Sequence, residues 1–332
     1  MYNSSLCSVC WAEKGKLLIV FSHVTKVFAE EKVALRDVSF SVERGETLVL
    51  LGQSGCGKTS ALRLINRLIQ PTSGTIFVNG ADVSTLDPIE LRRSIGYAIQ
   101  HIGLFPHMTI EENVGVVPKL IGWSEKKIRA RVDELLQMVG LEPSQFLKRY
   151  PRELSGGQKQ RVGVARALAA DPPIILMDEP FGALDPISRE QLQNEFLEIQ
   201  SRIHKTVVFV THDLSEAVKM GDRIAIFRKG EIIQIASPKE ILENPANTFI
   251  DDFLGKDRLS LLLQRQTLLP LLDRLNPAPT SEEGKLDLRS SLIDSLMTFK
   301  LTGSESLPIY DEEKYLGELA RKTLLEELLT LI

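Results

Sequence analysis

Cysteine is nearly absent from this chain: three residues in 332 cannot staple a fold of this size, so a disulfide scaffold is excluded and a buried core must hold it. Two of them, Cys7 and Cys10, form a lone Cys-x-x-Cys in a polar stretch. A zinc site there would need two more ligands nearby, so residues 1–16 are expected to be a flexible stub. Long apolar runs are also missing. None reaches the roughly 18 residues that span a bilayer, and Met1-Tyr2-Asn3-Ser4 lacks the basic region of a secretory signal. The chain is therefore expected to stay in the cytoplasm. An excess of one sign of charge is missing as well; 40 Lys and Arg against 44 Asp and Glu leave a formal net charge of -4, which argues against a dedicated nucleic-acid binder. What remains is ordinary for a globular protein, with 43% hydrophobic and 25% charged residues, long enough for one large domain and a smaller appendage.

The periodicity alternates between strand and helix, as expected of an α/β protein. Leu17–Phe21 and Ala34–Val42 read as strands of an opening antiparallel sheet. Glu46–Leu51 is an apolar strand that runs into a glycine-rich turn, followed by helical spacing over Ser60–Leu68. Between Ser124 and Val139, Ile128, Val132, Leu135, Leu136 and Val139 keep helical register and Gly140 supplies a stop, which predicts a helical insertion. Ile174–Met177 and Thr206–Val210 read as buried parallel strands whose carboxyl ends are polar. The expected domains are a catalytic one over 17–255, a leucine-rich helix and linker over 256–285, and a small α+β unit over 286–332. In the last, Leu292, Leu296 and Phe299 share a helical face, Leu307–Tyr310 pairs with Tyr315–Leu319, and Thr323–Leu331 is helical.

Strand, glycine loop and helix together make phosphate-binding geometry. Gly52-Gln53-Ser54-Gly55-Cys56-Gly57-Lys58-Thr59 fits G-x-x-x-x-G-K-[ST] in that context. Its backbone N–H groups can surround phosphates, Lys58 can neutralise their oxygens, Thr59 can place a hydroxyl on Mg²⁺, and Ser60 opens the helix whose dipole favours anions. Asp178-Glu179 ends a buried strand. This is either a plain acidic strand end, or Asp178 as a Mg²⁺ ligand through water and Glu179 as the base that polarises attacking water. His212, at the mouth of the next strand, can donate to a γ-phosphate, whereas His23 and His204 read as surface residues. Ser155-Gly156-Gly157-Gln158 opens a second helix; it is either an ordinary N-cap or a second phosphate grip that closes over nucleotide held by another copy.

Together these residues resemble the ATP-binding cassette superfamily, over about Leu17 to Gly255. Leu154-Ser155-Gly156-Gly157-Gln158 looks like its LSGGQ signature. The resemblance implies a RecA-like core with an antiparallel β subdomain and a helical subdomain. It also implies that Gly52–Thr59 is the Walker A loop, Ile174–Asp178 the Walker B strand, Glu179 the catalytic base and His212 the switch histidine. Gln100 matches the glutamine that senses Mg²⁺ and nucleotide and touches the membrane subunit. Ala183-Leu184-Asp185 matches the loop that crosses the dimer interface. Phe28 stands where the family stacks an aromatic on adenine, with a core phenylalanine as the rival reading.

Within the superfamily, Leu64–Leu68, Gly96–His107 and Phe181–Pro186 resemble importer subunits for quaternary-amine osmoprotectants such as glycine betaine, choline or carnitine. Leu288–Leu328 resembles one regulatory CBS motif, which could sense ionic strength, bind a nucleotide or aid dimer contact. The resemblance implies ATP and Mg²⁺ as cofactors and a head-to-tail homodimer. Its expected partners are permease subunits at the cytoplasmic face of the membrane and, through them, a substrate-binding protein; nucleic acid is not among them. Phe105 and Met108 are either contacts to the permease or local core. Two rivals stay open: an importer for another small solute such as an amino acid, and a non-transport cassette ATPase. The interval from Thr59 to Leu154 carries neither the sustained heptads nor the basic patch that a DNA-clamping cassette would need.

Overall fold

The computed structural model describes residues 16–99, 103–182, 184–255, 257–277 and 284–330. The Cys7/Cys10 pair, Gln100, Ala183 and most of the expected linker lie outside them. The chain divides into two compact units, Met1–Ser237 and Pro238–Ile332.

In the first unit the chain runs β1 (Leu17–Val27), β2 (Val33–Glu43), β3 (Thr47–Leu51), α1 (Lys58–Ile65), β4 (Ser73–Val78), β5 (Ala81–Asp82) and β6 (Ile95–Ala98). It continues through α2 (Ile110–Leu120), α3 (Glu125–Met138), α4 (Gly156–Leu168), β7 (Ile174–Asp178), α5 (Pro186–Ile203), β8 (Thr206–Thr211), α6 (Leu214–Met220), β9 (Arg223–Arg228) and β10 (Glu231–Ala236). The antiparallel sheet has the order β2-β1-β4-β5. Alternation along β1 and β2 sends one face inward, where Phe21 stacks on Phe40 with ring centroids 4.3 Å apart.

The second sheet has the order β10-β9-β3-β8-β7-β6. Its β3, β7 and β8 are wholly buried, which explains why their sequences are continuous apolar runs rather than alternating ones. All neighbours from β9 to β6 pair in parallel, and only β10 runs antiparallel.

The helical part follows local signals. Thr109 and Glu112 close a capping box at the start of α2, and Ser124 caps α3 by accepting from Lys127 N. Gly140, at φ +68°, ends α3 as the sequence predicts. Helix α1 differs from expectation: it begins at Lys58 because Gly57 is left-handed there, and it stops at Ile65, short of the predicted Leu68.

The second unit contains α7 (Pro238–Glu243), α8 (Thr248–Leu254), α9 (Asp257–Arg265), β11 (Leu286–Asp287), α10 (Leu292–Thr302), β12 (Ser306–Asp311), β13 (Lys314–Ala320) and α11 (Arg321–Thr330). The expected boundary at Gly255 falls inside it. Arg258 ties the segments on both sides of that glycine, donating to Leu242 O at 2.6 Å, Glu243 O at 3.1 Å and Asp251 Oδ1 at 2.8 Å. The leucine-rich stretch is broken into α9 and a 3₁₀ turn over Leu269–Arg274, with Pro270 in its first positions. Sheet β11-β12-β13 carries a core of Leu286, Leu307, Ile309, Leu319, Phe299 and Leu324. Asn276, expected in a linker, is pinned by paired backbone bonds to Glu318.

One buried side chain organises the loop before α2. Asn113 accepts from Phe105 N at 2.7 Å and donates to Phe105 O, Met108 O and Thr109 O at 3.1, 3.1 and 2.9 Å. Phe105 itself is left exposed. Asn113→Ala is expected to lower the unfolding free energy in urea by about 2–3 kcal/mol, because buried backbone groups lose their partners, and a loss below about 0.5 kcal/mol would contradict this account.

Candidate active site

The loop between β3 and α1 is shaped by close packing. A Cβ on Gly57 would collide with the carbonyl of Ala34, and φ there is +113°, a region closed to most side chains. A Cβ on Gly52 would stand 2.5 Å from Phe227 O. Gln53, Ser54 and Gly55 are exposed, Cys56 is buried, and Ser60 is half-buried in α1. Helix α1 has no side-chain cap, so its first-turn N–H groups face the loop as anion donors.

Lys58 is only 4% exposed. Its Nζ donates to Gly52 O at 2.6 Å and Gln53 O at 2.9 Å and lies 3.8 Å from Cys56 Sγ. The ammonium is thus held at the loop's centre by carbonyl dipoles, positioned for an anion.

Two adjacent parallel ladders bring the remaining groups to the same edge. Leu51 pairs with Thr211 and Asp178 with Val210, so the glycine loop, the carboxylate pair and His212 leave neighbouring strand ends together. Thr59 Oγ1 donates to Asp178 Oδ1 at 3.0 Å. Burial holds the Asp178 carboxyl above its ordinary range, with Glu179 adding to the effect and Thr59, Arg63 and Lys58 opposing it.

Glu179 leaves the strand at φ +46°, its N–H on Val210 O at 3.0 Å. Its Oε2 lies 3.3 Å from His212 Nδ1. A hydroxyl and a carboxylate as neighbours are hard oxygen donors and fit Mg²⁺, which takes few protein ligands when substrate phosphates supply the rest.

Three expected features stand outside this group. Ser155 caps α4: Ser155 N donates to Gln158 Oε1 at 3.0 Å and Gln158 N to Ser155 Oγ at 3.3 Å. Ser155 and Gly156 are exposed at that helix start and Gly157 is half-buried. Asp185 caps α5, and its hydrogen bonds with Ser188 hold its carboxyl below the usual range. Phe28 is 40% exposed, with Lys26 Nζ 5.0 Å from its ring centroid, so the rival reading of a core phenylalanine does not hold.

The sequence reading missed two groups beside the site. Tyr97 has its hydroxyl pKa raised by burial and by Asp178, and Glu216 is a buried carboxylate bonded to Thr211. For Glu216 a signal existed: it is an acid four residues before Met220, on the helix face that carries that buried apolar residue.

Lowering pH tests the burial of Asp178. A carboxyl whose folded pKa is raised binds a proton more readily in the folded chain, so it opposes folding increasingly as pH rises through that range. Asp178→Asn is therefore expected to raise Tm at pH 7, with a gain that shrinks toward pH 4 (about the pKa of a free carboxyl); an equal gain at both would contradict the assigned burial cost.

Residues 35–182 match the ABC transporter family model. The chain is 50% identical over 285 residues to the carnitine transport ATP-binding protein OpuCA of Listeria monocytogenes, covering 84% of this chain and 72% of that one. It is 46% identical over 299 residues to the choline transport ATP-binding protein OpuBA of Bacillus subtilis, covering 90% and 77%. Among solved structures, the dimeric post-hydrolysis state of the ATP-binding cassette MJ0796 bound to ADP and Pi superposes with a TM-score of 0.60 at 36% identity, over 67% of this chain and 99% of that one. A glycine loop, a carboxylate pair and a histidine at one sheet edge, in a chain half identical to transport ATP-binding proteins, place it in the ABC transporter family as an ATP-binding, ATP-hydrolysing subunit.

Proposed function

We propose that this chain drives import of a quaternary-amine osmoprotectant, such as glycine betaine, choline or carnitine, from the cytoplasmic face of a membrane. The observation that carries the chemistry is the common edge of β3, β8 and β7, where Lys58, Thr59, Asp178, Glu179 and His212 converge. The solute class is supported by relatives named for carnitine and choline transport. No helix among the described residues is long and apolar enough to cross a membrane. In this proposal the solute passes through permease subunits, which receive it from a substrate-binding protein.

In the proposed cycle the loop 52–60 grips the triphosphate of ATP and Phe28 stacks on its base. Thr59, Asp178 and Gln100 would hold Mg²⁺, which supplies charge neutralisation to the phosphates. Glu179 accepts the proton of the attacking water, while Lys58 and His212 donate to the γ-phosphoryl oxygens as charge develops there. Ser155, Gly156, Gly157 and Gln158 of a second copy close over the same nucleotide, and Asp185 crosses the interface. The exposed helix start at Ser155 and the dimeric form of the ADP-bound relative support this arrangement.

Glu179→Gln is expected to retain ATP binding and nucleotide-dependent dimerisation while steady-state hydrolysis falls at least about a hundredfold, the scale of a lost general base; unchanged turnover refutes the assigned base. In proteoliposomes with the permease and binding protein, hydrolysis is expected to rise with glycine betaine, choline or carnitine. Stimulation by an amino acid alone would reassign the solute.

A further inference from the structure

One charged cluster around a buried carboxylate has no part in this cycle. Glu216, on α6, is 5% exposed. Its Oε2 accepts from Thr211 Oγ1 at 2.6 Å, its Oε1 accepts from Gln193 Nε2 at 3.2 Å, and Arg189 Nε lies 3.9 Å from Oε1. Burying a carboxylate is costly without partners, and here they come from two other elements.

Arg189 is shared further. One of its terminal nitrogens stands 3.6 Å from Asp213 Oδ2, and the other donates to Leu184 O at 3.2 Å. Thr211 is also shared, since its hydroxyl accepts from Asp213 N at 3.0 Å. Both chain neighbours of His212 are thereby fixed, while its own ring is exposed and 3.3 Å from Glu179. Leu184, gripped by the same guanidinium, precedes Asp185 and packs beside Gly157, where an added Cβ would meet its Cδ2 at 3.9 Å. A planar fork that donates to Leu184 O while facing Asp213 and Glu216 at ion-pair distance, with no hydrogen bond from its Nε, links these loops as a point charge could not.

We propose that Arg189 and Glu216 are a positioning pair that holds the backbone on both sides of His212 and couples it to the Leu184–Asp185 turn. Docking of a second copy on that turn then sets the histidine of this copy's site. The inference rests on the proposed role of His212 in ATP hydrolysis, and the pair itself touches no substrate.

The test is a double-mutant cycle on the full chain, read as kcat and KM for ATP. Glu216→Gln keeps the size of the side chain and its bond to Thr211. It is expected to lower kcat about tenfold, the scale on which outer partners act through the groups they orient, with KM unchanged within about twofold. In His212→Ala protein, followed in single turnover, the same change is expected to cost less than about twofold, because the group it positions is gone.

Arg189→Lys keeps the charge but loses the fork. It is expected to behave the same way, and it serves if the glutamine variant does not fold. A full loss that persists in His212→Ala protein, or a rise in KM at constant kcat, overturns the proposal. Native hydrolysis in His212→Ala protein is a different failure, for it removes the catalytic histidine and the pair's purpose with it.

Discussion

Parallel pairing of β3, β8 and β7 is the constraint on which the site depends. Because Leu51 faces Thr211 and Asp178 faces Val210, three loops of unlike chemistry must leave the sheet side by side. A slip of one residue in either ladder would turn every side chain of the strand to its other face and take Asp178 from Thr59. Burial of these strands on both faces makes such a slip expensive, so the register that fills the core also fixes the distances at the catalytic edge.

That edge keeps two consecutive carboxylates apart in environment. Asp178 ends the strand at 8% exposure against Thr59. Glu179 has already left strand geometry with a positive φ and faces His212. The two like charges still oppose each other, since Glu179 helps to raise the Asp178 carboxyl, but the change of backbone direction between them gives each its own partner. The positive counterpart, Lys58, is held by its own loop's carbonyls rather than by either acid, which leaves the carboxylates to other partners.

Much of this was legible because its signals are local. The Gly52–Thr59 loop, the helical stretch from Ser124, the Gly140 stop and the apolar runs of β7 and β8 each span few residues, and all stand where their patterns put them. Tertiary partners were not legible. Glu216 meets Gln193 and Arg189 only after α5 and α6 pack beside β8, and no spacing rule connects them. The start of α1 was read late because a left-handed glycine, not a polar cap, begins it. Arg258 gathers the carbonyls of Leu242 and Glu243, a tertiary contact that no local pattern announces. Phe28 needed exposure, which composition does not carry.

The contact between Gly57 and Ala34 has a metric consequence. The phosphate loop lies against the first residues of β2, and Gly230 N donates to Cys56 O at 3.0 Å while Arg36 N donates to Gly230 O at 2.8 Å. Phe28, in the turn of the same hairpin beside the start of β2, is bonded through its N–H to Lys32 O at 2.9 Å. The span from the backbone of Phe28 to the glycine loop is therefore set by main-chain bonds. For the proposed stacking role of Phe28, that span works as a ruler, gauging a nucleotide by its length from base to terminal phosphate.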